Sequence, residues 1–198
     1  MKLKHLFFPV ILLALMVTAC SETKEENKYG NWRERNEEFI DSISNVYDSK
    51  LDPNLLAITD QKDKSQRVYY KIREAASSGE KPFLTSRVNV YYRGMILKDG
   101  GLDKLPVEGM LTSAYKNLTV FDGNIKGDNP DPTIDTTVEF QVNSLISGMT
   151  EVLQHMRPGD RWELYIPHQI GYGIYGNEAI PGYSVLMFDL TLESISSK

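Results

Sequence analysis

The feature that most constrains this chain is a change of period at Arg67. Ahead of it, Trp32, Phe39, Ile40, Ile43, Val46 and Tyr47 recur at about 3.6 residues and lay one apolar stripe along residues 31–47. Behind it, apolar residues alternate in short runs: Val68 to Ile72, Val88 to about Leu97, Val138 to Val142, Trp162 to Ile166 and Leu186 to Leu192. Alternation gives a strand one apolar face; in the fourth run Arg161, Glu163 and Tyr165 face the other way. A single amphipathic stretch lies among the runs, from about Ile146 to His155, with Met149, Val152 and Leu153 inward and Pro158-Gly159-Asp160 closing it. The fold class that follows is α+β, an antiparallel β-sheet wrapped around one short helix, preceded by an N-terminal amphipathic helix.

That first helix has a start signal: Asn31 as N-cap and Glu34 three residues on, a capping-box arrangement. A helix of this length is marginal alone in water, so its stripe must be buried. It packs either on its own domain or on a second copy, which would make residues 31–47 a homodimer contact. Residues 51–66 carry turn chemistry at Asp52-Pro53-Asn54 and no clear period, which predicts a linker with one helical turn at most. Two long stretches, residues 98–117 and 123–135, read as loops, and loops this long in a small domain are functional or mobile.

The first twenty residues follow another logic. Lys2 and Lys4 precede an apolar run from Leu6 to Val17, short for a bilayer span, which ends in Val17-Thr18-Ala19-Cys20. This resembles a bacterial lipobox, which implies a signal peptide over 1–19, a lipidated Cys20, a polar tether over 20–30, and a lipoprotein of the cell envelope held at the outer membrane. The division that follows is 31–66 for the helix and linker and 67–198 for the β-rich domain. Cys20 is the one cysteine, which excludes an internal disulfide and a cysteine-based zinc site. His5, His155 and His168 have no metal-ligand spacing, so neither metal nor cofactor is expected. A net charge of −5 argues against nucleic acid as a partner. Gly171 to Gly176 satisfies a G-x-G-x-x-G pattern, but no helix follows and Pro181 intervenes, so a dinucleotide site is set aside.

Three blocks in the β-rich part resemble FKBP-type peptidyl-prolyl cis–trans isomerases. The first is Val90-Tyr91-Tyr92-Arg93-Gly94 with Val120-Phe121-Asp122 downstream. The second runs from Val138 through Phe140, Leu145, Ile146 and Gly148 to Met149, then Met156-Arg157-Pro158-Gly159. The third is Tyr172-Gly173, Gly176, Ile180-Pro181 and Leu186-Met187-Phe188-Asp189-Leu190. The resemblance covers about Val68 to Ile195 and implies an FKBP-like fold that acts on proline-containing polypeptides. The alternative is a non-catalytic binding module or chaperone lipoprotein that keeps the fold.

The chemistry such a site must do is conformational. Amide resonance sets a barrier of about 18–20 kcal/mol to rotation of a prolyl bond. Twisting the bond breaks resonance and makes the amide less polar, so a dry aromatic cup binds the twisted state better than the planar one. The resemblance implies that Tyr92, Phe121, Ile146, Tyr172 and Phe188 line this cup, that Val138, Leu145 and Ile180 extend its rim, and that Met149 forms its floor. The Ile146 N–H and the Tyr172 hydroxyl would hold substrate carbonyls, and Asp122 would sit at the rim, orienting Tyr92 or polarising the twisted amide. Phe140, Leu164, Leu186 and Leu190 read as core. The chain departs from the family pattern where Met149 replaces a tryptophan, where residues 94–121 and 122–140 run long, and where Asn177-Glu178-Ala179 replaces a substrate-contacting stretch.

Overall fold

A computed structural model of the chain describes residues 31–98 and 118–197. The expected signal peptide, Cys20 and the expected tether, and most of the first long loop, lie outside them. In chain order the elements are α1 (Trp32–Asp48), β1 (Leu56–Thr59), β2 (Arg67–Glu74), β3 (Arg87–Leu97), β4 (Leu118–Gly123), β5 (Val138–Gln141), α2 (Ser147–Leu153), β6 (Arg161–Ile166) and β7 (Leu186–Ser197). The strands form one antiparallel sheet in the order β1-β2-β6-β7-β3-β4, with β5 also paired to β3. This is the α+β architecture the periods call for. Among the described residues no helix is long and apolar enough to cross a membrane.

β4 and β5 share one edge of β3, β4 beside Arg93 to Leu97 and β5 beside Arg87 to Val90. Asn124 bridges the gap between them. Its backbone N–H donates to the Tyr92 carbonyl (3.0 Å), its Oδ1 accepts from the Tyr92 N–H (2.7 Å), and its Nδ2 donates to the Val90 carbonyl (3.0 Å). One side chain thus stands in for missing strand backbone, and the buried polar groups beside the site stay satisfied.

The inner face of the sheet carries Val68, Val90, Leu164, Leu190 and Leu192, packed with α2 residues Val152 and Leu153 into the core. Tyr70 and Trp162 stack across β2 and β6, 4.4 Å between ring centroids. Gly148 lets α2 approach closely: a Cβ there would lie 2.6 Å from the Ile166 Cγ2.

The helix α1 crosses the outer face. Its Phe39 ring lies 6.3 Å from that of Tyr165 and its Tyr47 ring 5.7 Å from that of Tyr69, whose hydroxyl donates to the Ser44 hydroxyl. Its own sheet therefore takes up the stripe. The capping box does not form. Asn31 sits in the left-handed region at φ 57°, which Asn tolerates better than most residues, and caps with its side chain nothing. Tertiary bonds fix the helix start instead. Trp32 Nε1 donates to the Ser184 hydroxyl (3.2 Å), and the buried Asn36 accepts from the Val185 N–H (2.8 Å) while donating to the Trp32 carbonyl.

Residues 51–66 differ from the expected linker. The Asx turn at Asp52 is present, its Oδ1 accepting from the Asn54 N–H (2.9 Å), but no helical turn follows. Leu56 to Thr59 instead pair with β2, Leu56 opposite Tyr70 and Thr59 opposite Arg67. Four residues are too few to display a period, and pairing with β2 supplies what local pattern lacks. The second long loop also has a definite place. Residues 124–135 fold over the outer face, away from the inner side, organised by the buried Asp135 carboxylate, which accepts from the N–H groups of Lys126 (3.0 Å) and Asp131 (2.9 Å).

Candidate functional site

Twelve described residues from five elements and two loops surround one open cleft of about 130 Å³ on the inner face: Val90, Tyr92, Phe121, Asp122, Phe140, Leu145, Ile146, Met149, Leu153, Tyr172, Phe188 and Leu190. Alternation delivers most of them. Val90 and Tyr92 are neighbours on one face of β3, Phe188 and Leu190 on one face of β7, and Met149 and Leu153 are one helical turn apart on α2. The volume suits one small ring rather than a drug-sized ligand, which needs roughly 300–1,000 Å³.

Aromatic edges shape the walls. Phe121 meets Phe188 edge-to-face at 5.8 Å and 89°, and Tyr92 meets Phe140 at 5.6 Å and 66°. Such pairs gain from complementary ring charge distributions. Gly94 makes the first pair fit. A Cβ there would lie 2.5 Å from the Phe121 Cζ and 2.9 Å from the Phe188 Cε1, inside any real contact.

The polar groups are few. The Tyr92 hydroxyl donates to Asp122 Oδ2 at 2.7 Å, and Asp122 Oδ1 accepts from the Gly123 N–H at 2.8 Å. Burial, then the Asp122 carboxylate beside it, pushes the Tyr92 phenol well above its ordinary value, so it remains a neutral donor aimed at Asp122. Ile146 is extended (φ −57°, ψ 151°) just ahead of α2, and its carbonyl accepts from the Thr150 N–H, while the Thr150 hydroxyl ties back to the Val142 carbonyl at 2.8 Å. The Ile146 N–H bonds no backbone carbonyl among the described residues. Tyr172 is 39% exposed at the mouth, on a tight loop in which Gly173 and Gly176 both have positive φ. Among the described lining residues there is no serine, cysteine, lysine or histidine. The arrangement is an apolar cup edged by two phenols and a carboxylate, suited to an apolar ring with polar groups beside it.

Of the residues singled out from sequence, Tyr92, Phe121, Asp122, Leu145, Ile146, Met149, Tyr172 and Phe188 meet at this cleft. Val138 and Ile180 are not among its lining. Val138 is half-buried at the start of β5, opposite Val90, and Ile180 is 2% exposed in the core. Ile180 is drawn inward by the turn that its carbonyl closes onto the Asn177 N–H at 2.8 Å. Phe140 and Leu190, read as core, have a surface on the cleft, as do Val90 and Leu153. Their signal was available: each lies two residues along a strand, or four along a helix, from a residue already assigned to the cup.

Comparison with known proteins returns one family. A family model described as FKBP-type peptidyl-prolyl cis-trans isomerase matches residues 79–193. The chain is 38% identical over 125 residues to the macrophage infectivity potentiator of Trypanosoma cruzi, covering 62% of this chain and 50% of that protein. It is 35% identical over 118 residues to the FKBP-type 22 kDa peptidyl-prolyl cis-trans isomerase of Escherichia coli, covering 59% and 45%. The match thus spans about half the length of these curated relatives. A crystal structure of a peptidyl-prolyl cis-trans isomerase from Pseudomonas syringae superposes with a TM-score of 0.53 at 23% identity, covering 82% of this chain and 95% of that one, which shows a shared fold.

Proposed function

Since this chain belongs to the FKBP-type peptidyl-prolyl cis–trans isomerase family, we propose that it speeds rotation about Xaa-Pro bonds in exported polypeptides, using the inner-face cleft. The observation that carries this is the meeting of Tyr92, Phe121, Ile146, Tyr172 and Phe188 around one open apolar hollow. The proline ring enters against Phe121 and Phe188 and rests over Met149. The planar amide loses water on entry, and the twisted amide, being less polar, loses less; this difference lowers the barrier. The Ile146 N–H and the Tyr172 hydroxyl hold the flanking carbonyls in the twisted geometry. Asp122 fixes the Tyr92 ring and abstracts no proton, because none has to leave.

The N-terminal sequence supports a setting for this activity: Cys20 acylated, residues 20–30 a tether, and the isomerase held at the outer membrane. The substrate is then any proline-containing chain folding outside the cytoplasm. A homodimer through α1 has little support, since the apolar stripe is already occupied by its own sheet.

A protease-coupled assay on Xaa-Pro peptides tests the reading. Wild-type protein at micromolar concentration accelerates the cis-to-trans step. Asp122→Ala, an exposed position, and Tyr172→Phe each lower kcat/KM by about tenfold with an unchanged melting temperature. Rates unaltered in both variants rule out this site. Binding of proline peptides without acceleration by the wild-type protein turns the reading to a non-catalytic grip, for which Met149 in place of the family's tryptophan is the motive.

A further inference from the structure

The site's short helix is held by residues that precede the stretch matched by the family model. The family match starts at residue 79, whereas Asp60 and Gln61 follow directly after β1. Asp60 is 1% exposed. Its Oδ1 accepts from the N–H groups of Lys62 (2.8 Å) and Asp63 (2.7 Å), and its own N–H donates to the Gln66 carbonyl (3.0 Å), so the carboxylate is locked within its loop. The remaining oxygen, Oδ2, accepts from the Ser147 hydroxyl at 2.7 Å. Ser147 is the first residue of α2 and adjoins Ile146. One turn further along, the Gln61 N–H donates to Oε2 of the buried Glu151 at 3.3 Å.

We propose that Asp60, acting through Ser147, is a positioning residue for the isomerase site: the β1–β2 loop sets where the Ile146 N–H points into the cleft. This rests on the catalytic reading above. The physical argument is one of stiffness. A seven-residue helix has too few internal hydrogen bonds to be rigid on its own. A donor that must meet a substrate carbonyl within a few tenths of an ångström therefore needs an external anchor. A locked carboxylate accepting a short hydroxyl bond supplies it, since charge-assisted bonds are roughly twice as strong as neutral ones. The second bond, at Glu151, stops the helix from swinging about the first. Isomerase geometry is thereby made to depend on a loop that precedes the residues the family model matches.

Ser147→Ala tests this in the full chain. It removes the hydroxyl, leaves Asp60 with its own two N–H donors, and places a good helix former at the start of α2. The expected result, well below the melting temperature, is a fall of about tenfold in kcat/KM, a displaced Ile146 amide peak in the ¹⁵N–¹H spectrum, and recovery of both in Ser147→Thr. Asp60→Asn, whose amide oxygen can still accept from the Lys62 and Asp63 N–H groups but whose bond to Ser147 becomes a neutral one, lowers kcat/KM by less than Ser147→Ala does. If Ser147→Ala lowers only the melting temperature, with the Ile146 amide and kcat/KM at wild-type values, the bond is merely structural and the inference falls. Failure of the catalytic reading looks different. The wild-type chain then accelerates nothing, and the inference is decided by the Ile146 amide together with the affinity for a proline peptide, both of which Ser147→Ala must weaken or shift for it to stand.

Discussion

The two faces of the one sheet are both covered, by different chemistries and with different completeness. The inner face is apolar and packs on α2, but α2 is only seven residues long and leaves part of β3 and β7 uncovered, where the cleft opens. The outer face is covered by α1 at one end and by residues 124–135 at the other. Across this face, between the two covers, runs a row of charges. Lys71 stands opposite Glu163, Glu163 opposite Asp189, and Asp189 opposite Arg93. The two carboxylates side by side would repel. Arg161 grips Asp189 with two bonds (2.8 and 2.7 Å), Arg73 bonds Glu163, Lys71 pairs with Asp52 at 2.7 Å, and the carbonyls of Ile125 and Gly127 accept from Arg93. The lesson is that the face spending its polar groups on each other is finished structure, while the face left with unfilled apolar surface is available for a ligand.

The largest expected effect tests the sealed face. Arg161→Ala removes the guanidinium that makes two bonds to the buried Asp189, whose side chain is 6% exposed, and also drops the bond to Asn129 that holds the covering loop. A loss of about 3–5 kcal/mol in urea unfolding is expected, with kcat/KM of the folded fraction close to wild type, because the residue points away from the cleft. A stable variant with impaired catalysis would erase the distinction between the faces.

That distinction was only half legible in the sequence. Alternation located the main strands, and Trp162, Leu164 and Ile166 did prove to be one inner face. It also turned Arg161, Glu163 and Tyr165 outward, without showing that this side would be buried too, since charged residues read as solvated until their partners are known. Those partners come from far along the chain: Asp189 from β7, and Asn129 from a loop that composition alone marked as irregular. Short elements failed for a similar reason. β1 has no period to show, and Asn31 looked like a cap because the bonds from Trp32 and Asn36 to Ser184 and Val185 span some 150 residues. At the site, Tyr92 and Phe188 alternate as core residues would; only the order of three blocks across the chain set them apart. Phe140 and Leu190 sit in the same blocks, yet their alternation reads equally as core, and only the assembled cleft shows that they also line it.

A smaller effect tests the open face. Gly94→Ala pushes a methyl into the Phe121 and Phe188 edges, and both rings must turn from their mutual contact. Overpacking of this kind costs about 1–3 kcal/mol. The signature is the ratio of effects: kcat/KM falls by at least about tenfold, so the change damages function more than stability, the reverse of Arg161→Ala. A variant that loses stability alone would mean that the Phe121–Phe188 pair is packing and no part of the cup.

The smallest effect separates the faces by titration. Tyr92 on the open face and Tyr165 on the sealed one both have phenols raised above the ordinary value, in each case first by burial; next comes the hydrogen bond to Asp122 for Tyr92 and the Glu163 charge for Tyr165. A group whose folded value is raised contributes its full stability below the unfolded value, near 10, and loses it as pH climbs from there toward the folded value. Stability should therefore decline above about pH 10, and Tyr92→Phe should flatten that decline. Tyrosine absorbance sharpens the contrast. A proline peptide filling the cleft displaces water from Tyr92 and delays its ionisation further, while Tyr165, already beneath α1, does not respond. A peptide-induced delay that persists in Tyr92→Phe and vanishes in Tyr165→Phe would place the ligand's influence on the sealed face, and the division of labour between the two sides of the sheet would not hold.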